Sequence, residues 1–338
     1  MPKASAAGPA HCVSVSDEAE AQRDVENLPE SAPGNKERPV KRYQCVSVMA
    51  AMLLAFSATA QADVIVHGGT TINMDFVAVG NAGNAADTTG YGAVGYNYRI
   101  GKYEVTADQW AAVQAASPGV GNAGSWSGSQ PTASTTWSEA AKFCNWLTTG
   151  KTFSGVYNIG TGTIMDRQTA VATFGTAYFI PTENEWYKAA YYDPNKNGVG
   201  VGGYWDYPTM HDYPTVPDGI DFNGDAAFDA VFRQDYDQGQ PNSVDNAGAL
   251  SAYGTMGQGG NVWEWNETAI GSNRGLRGGA WNIGADYLPA SYRFDYDPYS
   301  ESLSVGFRVA SVPEPGSFTL VLCGGLASFY WWKRNRKS

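Results

Sequence analysis

The chain has 338 residues, more than one average domain needs, so terminal extensions around a single domain account for its length. A hydrophobic content of 43% with 11 Trp excludes a disordered acidic protein, and 40 Gly without a Gly-X-Y period favour a loop-rich body. The net charge of −11 argues against a nucleic-acid partner, because phosphate binding needs clustered Lys and Arg.

A leader is predicted to occupy residues 1–62. A Lys-Arg pair precedes the apolar run 46–58, and a small-residue cleavage site ends at Ala62. These are the three parts of a secretory signal, so we place the signal peptide at about 41–62 with cleavage after Ala62. A buried helix is the alternative for the apolar run.

Three short helices are predicted from capping boxes, in which a Thr side chain binds a free backbone N–H and the residue three positions later binds back. The pairs are Thr106 with Gln109, Thr136 with Glu139, and Thr182 with Glu185. Apolar residues recur behind each box at helical spacing, so each helix is expected to bury one stripe. The stripes are Trp110 and Val113, then Ala140, Phe143 and Leu147, then Trp186, Ala189 and Ala190.

Five short strands bounded by Gly or Asn turns are predicted around these helices. They are 98–103, 178–180, 262–266, 276–281 and 305–310. No repeat of about 20–50 residues occurs, which argues against a propeller or solenoid. Residues 63–311, which hold these helices and strands, are predicted to form one domain.

Residues 312–338 are predicted to be a tail with a short transmembrane helix. Pro313-Glu314-Pro315 precedes the apolar run 317–332, and a basic end follows. A helix of this length spans about 24 Å, short of a hydrocarbon core of about 30 Å. The basic end predicts a cytoplasmic C-terminus.

This tail resembles the PEP-CTERM sorting signal of Gram-negative bacteria, which is read by an exosortase. The resemblance implies transient inner-membrane anchoring, removal of the tail, and delivery to the cell surface or an extracellular matrix. A permanent C-terminal anchor is the alternative, because helix length does not distinguish the two.

In the predicted strand 262–266, the period-two alternation sends Trp263 and Trp265 to one face and Glu264 to the other. A carboxylate opposite two indoles needs water, a partner or a metal. Core packing is the ordinary role for such paired Trp.

Five short motifs occur in order along the middle of the chain. They are GKYEVT at 101–106, PTENEW at 181–186, GGNVWEW at 259–265, LRGGAW at 276–281 and GFRV at 306–309. Together they resemble the sulfatase-modifying factor family, whose namesake is the formylglycine-generating enzyme. The resemblance implies an irregular, loop-rich α+β domain of the C-type-lectin-like kind.

The chemistry of that family uses two cysteines before the Gly-Phe-Arg motif, which bind copper and exchange with a substrate cysteine. The corresponding positions here are Ala285 and Ala290, and no cysteine lies between Cys144 and Cys323. Without a thiolate there is no soft copper ligand and no exchange nucleophile, so copper is not expected and no catalytic residue is assigned. Cys144 is predicted to be buried.

A second branch of the family uses three His around iron. After the leader only His67 and His211 remain, which are too few for that site. We expect His67 to be disordered near the new N-terminus and His211 to be solvated in an acidic loop. No Gly-x-Ser-x-Gly, Walker or His-Glu-x-x-His motif indicates a hydrolase.

The resemblance also implies a calcium site around the GGNVWEW motif. Its ligands carry over to the carbonyls of Gly260 and Val262 and the carboxylate of Glu264, while the family's Asn ligand falls on Gly257. An ion-paired Glu264 is the alternative.

The acidic loop offers a second calcium candidate. Oxygen donors occur there at alternate positions, a spacing common in calcium-binding loops: Asp221, Asn223 and Asp225. The loop lacks the Gly and Glu of an EF-hand, and a solvated acidic loop is the alternative.

Aromatic and charged side chains crowd the stretch 281–302. We predict ligand contacts at Trp281, Tyr292, Arg293 and Tyr296, since such surfaces suit sugar or protein ligands; packing is the alternative. The whole pattern predicts an exported, calcium-stabilised envelope or matrix protein that uses the fold as a non-catalytic binding or structural module. Its expected partners are an exosortase-type protease, a polysaccharide or envelope protein, and the membrane before processing. The alternative is an oxidoreductase-like enzyme of the family that works without the cysteine pair.

Overall fold

The computed structural model describes residues 61–312 except 123, 214, 216, 218, 220–228 and 234–238. The predicted signal peptide, apart from its last two residues, and the sorting tail beyond Val312 lie outside the described residues, as do Asp221, Asn223 and Asp225. Within the described part of the chain, no helix is long and apolar enough to cross a membrane.

Short strands and short helices alternate along the domain. The strands are β1 Gln61–His67, β2 Thr70–Val79, β3 Tyr98–Gly101, β4 Tyr157–Asn158, β5 Thr163–Ile164, β6 Ala177–Phe179, β7 Tyr192–Asp193, β8 Gly203–Tyr204, β9 Trp263–Ile270, β10 Asn273–Arg277, β11 Phe294–Tyr296, β12 Val305–Gly306 and β13 Ala310–Val312. The helices are α1 Ala107–Ala116, α2 Trp137–Thr149, α3 Arg167–Phe174 and α4 Glu183–Tyr191, with 3₁₀ turns at Pro118–Val120, Val244–Asn246 and Ala285–Tyr287. This composition confirms the predicted α+β class.

A β-hairpin opens the domain, and the sequence patterns above did not predict it. Strands β1 and β2 pair from His67 opposite Thr70 to Gln61 opposite Phe76. Gly68 and Gly69 have φ of 59° and 87°, the positive values that a tight two-residue hairpin turn requires. The predicted cleavage after Ala62 falls within β1.

The hairpin orders His67, so the prediction that His67 is disordered was wrong. The His67 Nε2 lies 3.0 Å from the carbonyl oxygen of Leu147 on α2. Its ring also meets Trp146 edge-on, with centroids 5.2 Å apart. Strand pairing and these two contacts fix His67, although its position near the predicted new N-terminus had suggested disorder.

The first sheet joins the two ends of the domain. Its strand order is β1-β2-β3-β13-β6, and β13 is antiparallel to both neighbours, with Ala310 opposite Ile100 and Phe179. The residues after the GFRV motif therefore pair with strands from the N-terminal half. Pairing across this distance in sequence is decided by packing, which local patterns do not encode.

All three predicted capping boxes are present, with both the Thr and the returning Gln or Glu hydrogen bonds formed. Each predicted apolar stripe is buried, and Gly150 ends α2 in the left-handed conformation at φ 74°. Helix α3 was missed because its cap is Asp166 without a returning side chain. Single caps are a weaker signal than capping boxes.

The second sheet carries the paired Trp, in the order β11-β10-β9-β12. The period-two prediction for β9 is confirmed: Trp263 and Trp265 contact aromatic side chains of the 287–296 segment, whereas Glu264 contacts Trp186 and Arg308. The strand runs four residues further than predicted, to Ile270.

The main core contains a stacked aromatic group from three distant segments. Trp110 stacks on Phe143 at 5.7 Å between ring centroids, and Phe307 meets both rings edge-on. Cys144 is buried beside them, as predicted, and burial raises the pKa of its thiol well above the ordinary range. A thiol held protonated is a poor nucleophile.

Candidate functional site

The motifs meet at a buried ion pair between β9 and the segment after β12. Arg308 donates from Nε to Glu264 Oε2 and from Nη2 to Glu264 Oε1, both at 2.6 Å. Trp186 Nε1 also donates to Glu264 Oε2, at 2.7 Å. Three motifs that lie far apart in sequence are thereby joined through one carboxylate.

The same guanidinium holds three backbone carbonyls. Arg308 Nη1 donates to the oxygens of Gly101 and Lys102, and Nη2 donates to the oxygen of Met256. Both Arg308 and Glu264 are fully buried. A buried charge is tolerated only when it is paired and fully hydrogen-bonded, and this arrangement meets that requirement.

A second carboxylate, that of Glu104, is buried beside this pair. Its Oε1 accepts a hydrogen bond of 3.0 Å from Asn261 Nδ2, while its Oε2 has no partner among the described residues. Burial, reinforced by the negative charge of Glu264, raises the pKa of Glu104 to about 8, although Arg308 and Asn261 act in the opposite direction. Glu104 is therefore held largely as the neutral acid at neutral pH.

Glu104 fills the space where the resemblance places one calcium ligand. A side chain added at Gly257 would bring its Cβ 2.5 Å from Glu104 Oε2, so the glycine leaves room for this carboxyl group. Both oxygens of Glu264 are already used by Arg308 and Trp186. In this arrangement the residues do not fit a calcium ion, since a guanidinium supplies the positive charge next to Glu264. The calcium site at Gly257, Gly260, Val262 and Glu264 stays a prediction.

A second ion-pair cluster fixes the segment that carries the family's cysteine positions. Arg277 Nε donates to Glu183 Oε1 at 2.9 Å, and Arg293 donates to both Glu183 oxygens at 2.7 Å. Arg277 Nη1 also donates to the carbonyl oxygens of Ala290 and Tyr292, at 2.9 and 2.6 Å. Arg293, predicted as a ligand contact, is thus held in a structural ion pair.

The two cysteine positions of the family carry only methyl groups here. Ala290 is buried among the aromatic rings of α4, and Ala285 packs beside Leu288 and Tyr207. Neither side chain can bind a metal or form a disulfide.

Next to that segment lies a group of edge-on and tilted rings that we call the aromatic face: Trp263, Tyr287, Tyr292 and Phe294. Trp263 is central, with ring centroids 6.2 Å from Tyr287, 6.0 Å from Tyr292 and 5.7 Å from Phe294. Tyr287 and Phe294 are 37% and 43% exposed, so the group presents aromatic surface to solvent. Exposed clustered rings are typical of ligand contacts.

The four predicted ligand residues lie in different surroundings. Tyr292 belongs to the aromatic face, whereas Tyr296 stacks on Trp265 at 6.2 Å. Trp281 is buried against Trp126, and its Nε1 has no partner among the described residues. Phe294 was missed, although the alternation of aromatic residues at 292, 294 and 296 is the signal of a strand with one aromatic side.

His211 is buried, so the expectation of a solvated ring was wrong. The ring stacks on Tyr207 with centroids 4.8 Å apart, and Nδ1 lies 2.9 Å from Thr209 Oγ1. Burial lowers the pKa of His211 below its usual value. Among the described residues no group of three or more His, Cys, Asp or Glu could hold a metal ion.

Fold and site together define an irregular α+β domain of the formylglycine-generating-enzyme type. Residues 55–312 match the family model described as "Sulfatase-modifying factor enzyme 1-like domain", which covers most of the chain. The chain therefore belongs to the sulfatase-modifying factor family. No curated protein matches it.

Several solved structures are similar to this chain at low sequence identity. Treponema denticola variable protein 1 is 19% identical, with a TM-score of 0.48, over 75% of this chain and 100% of that chain. CarF is 18% identical, with a TM-score of 0.49, over 76% and 98%. PvdO from Pseudomonas aeruginosa is 15% identical, with a TM-score of 0.46, over 75% and 100%.

Proposed function

We propose that this protein is an exported, non-catalytic binding module whose aromatic face holds a neutral polysaccharide of the cell envelope or matrix. One observation carries the proposal: alanine stands at both cysteine positions, 285 and 290, and a partly exposed aromatic face lies beside them. The domain keeps the scaffold of the family while its thiol chemistry is absent. The segment around positions 285–290 can therefore contact a ligand through the aromatic face.

The charge of the domain favours an uncharged ligand. Residues 63–311 hold 12 Lys and Arg against 25 Asp and Glu, a formal charge of −13. Asp286 and Asp295 flank members of the aromatic face in sequence. An acidic polysaccharide would be repelled by this field, whereas a neutral sugar can place its apolar C–H face on an exposed ring.

The double variant Tyr287→Ala with Phe294→Ala is expected to weaken polysaccharide binding at least about tenfold, because it removes the two most exposed rings of the face. Binding is measured by affinity electrophoresis in gels that contain neutral or acidic polysaccharides. Phe153→Ala is the matched control, since Phe153 is 62% exposed and lies outside the face.

Equal retardation of wild type and double variant would contradict the assignment of the face. Preferential binding of acidic polysaccharides would contradict the charge argument. Retention of envelope proteins without retention of any polysaccharide would assign the face to a protein ligand instead.

Export and sorting form the second part of the proposal, and the tail motif supports them. Replacing Pro313, Glu314 and Pro315 by Ala is expected to leave full-length protein in the inner-membrane fraction, because an exosortase-type protease would no longer recognise the tail. Fractionation with immunoblotting measures this. Identical distribution and size of wild type and variant would show that the motif serves only as a linker.

A further inference from the structure

A cavity of about 1090 Å³ lies in the domain and shares no lining residue with the aromatic face. One side is apolar and is formed by Ile164, Met165, Val171, Ala172 and Val312. Its volume is slightly above the roughly 300–1000 Å³ typical of pockets that bind small organic molecules, so it has room for one. The charged side chains that line it are Asp166, Arg167 and Glu267.

The positive charge in this cavity is already neutralised. Arg167 Nη2 lies 2.8 Å from Glu185 Oε2, and Nη1 lies 3.0 Å from Glu267 Oε1. The guanidinium also stands over the ring of Phe179, 3.8 Å from its centroid. Because the guanidinium of Arg167 already donates to two carboxylates, it has little capacity left to bind an anionic ligand.

The acidic groups are not fully compensated. Glu267 Oε1 accepts hydrogen bonds from Arg167 and from the Tyr157 hydroxyl, but Glu267 Oε2 has no hydrogen-bond partner among the described residues. The Glu267 residue is only 9% exposed, and it faces the cavity. Burial raises the pKa of Glu267, which is the expected effect when a carboxylate lacks full compensation.

Nearby charges leave the balance negative. Glu185 shares Arg167 with Glu267, and Asp166 adds a further carboxylate at the rim, where it caps α3. Among the described residues, Arg274 is a further cation nearby; its guanidinium lies on the ring of Trp137 at 4.0 Å and donates to the backbone oxygen of Glu267. The cavity therefore combines an apolar wall with one carboxylate oxygen that lacks a donor.

We propose that this cavity binds an organic cation with an apolar body, whose ammonium group donates to Glu267 Oε2 while its hydrocarbon part covers the wall of Ile164, Val171 and Val312. The ligand class follows from charge complementarity and from the apolar lining. This site is independent of the aromatic face, and neither proposal depends on the other.

The test compares three probes of one shape: octylamine, octanol and octanoate, titrated into the full chain by calorimetry. Octylamine is expected to bind at least about tenfold more tightly than octanol, because it adds a charge-assisted hydrogen bond to a partly buried carboxylate. Glu267→Gln keeps the shape and should remove this preference. Glu301 is an exposed acid outside the cavity, so Glu301→Gln is the matched control and should leave the preference for octylamine unchanged.

A second variant tests whether the probes bind in the cavity and not elsewhere on the chain. Ala172→Phe adds a ring to the cavity lining without touching Glu267, and is expected to weaken the binding of octylamine and octanol alike. The proposal is overturned if octanoate binds most tightly, if amine and alcohol bind equally, if none of the probes binds, or if Ala172→Phe leaves octylamine binding unchanged.

Discussion

Arg308→Met is expected to lower the free energy of unfolding by about 3–5 kcal/mol, the largest effect among the substitutions considered. The change leaves Glu264 buried without a positive partner, and an uncompensated buried charge is costly. It also frees the carbonyl oxygens of Gly101, Lys102 and Met256. Urea unfolding followed by Trp fluorescence measures the loss.

The double variant Arg308→Met with Glu264→Leu is the matched control. Replacing both members of a buried pair by apolar residues of similar size often costs little, so the double variant should recover much of the stability. A double variant no more stable than Arg308→Met would show that the carbonyl contacts, and not the ion pair, carry the effect.

The same measurement tests the calcium prediction. Because Arg308 supplies the charge beside Glu264, we expect no calcium-dependent gain from this site, so calcium should change the stability of the wild type and of Glu264→Gln by the same amount relative to EGTA. Binding of calcium to the folded state alone would instead add about 2.7 kcal/mol at a hundredfold excess over Kd. A gain of that kind, lost in Glu264→Gln, would establish the calcium site.

Glu104→Gln is expected to flatten the pH dependence of stability between pH 5 and pH 8. The pKa of Glu104 rises from 4.5 to about 8 on folding, so the folded state keeps a proton that the unfolded state releases. The stability that this group contributes is complete below pH 4.5 and is lost as the pH rises through 8. Across that window the wild type should lose on the order of 3 kcal/mol more than the variant.

Unfolding in urea at several pH values measures this difference. Burial also lowers the pKa of His211, and that group's contribution to the pH dependence has the opposite sign. It is common to wild type and variant, so the difference between them isolates Glu104. Glu301→Gln, which removes an exposed acid, is the control and should follow the wild type; equal slopes in wild type and Glu104→Gln would contradict the prediction.

Part of the fold could be predicted because its causes are local. The Thr106, Thr136 and Thr182 capping boxes need only residues three positions apart, and all three formed where predicted. The alternation in β9 placed Glu264 opposite its two Trp neighbours for the same reason. The hairpin at Gly68 and Gly69 was also local and could have been recognised from its turn.

The site depended on contacts between distant segments. The pattern showed that Glu264 needs a partner, and it left an ion pair open as the alternative to calcium. Arg308, 44 residues away, became that partner because β12 pairs parallel to β9 and brings the segment after it alongside. Phe294 lies beside Trp263 because β10 pairs antiparallel with both β9 and β11.

The sequence by itself determined the family, the helix starts, the alternation of β9 and the absence of cysteine at positions 285 and 290, because each is a matter of residue identity at short or fixed spacing. The tertiary structure alone decided which buried charges meet. It pairs Glu264 with Arg308, shares Arg167 between Glu185 and Glu267, and leaves Glu104 neutral beside the first pair. A buried charge is stabilised by whichever opposite charge the fold brings within a few ångströms, and that distance is a property of packing rather than of sequence position.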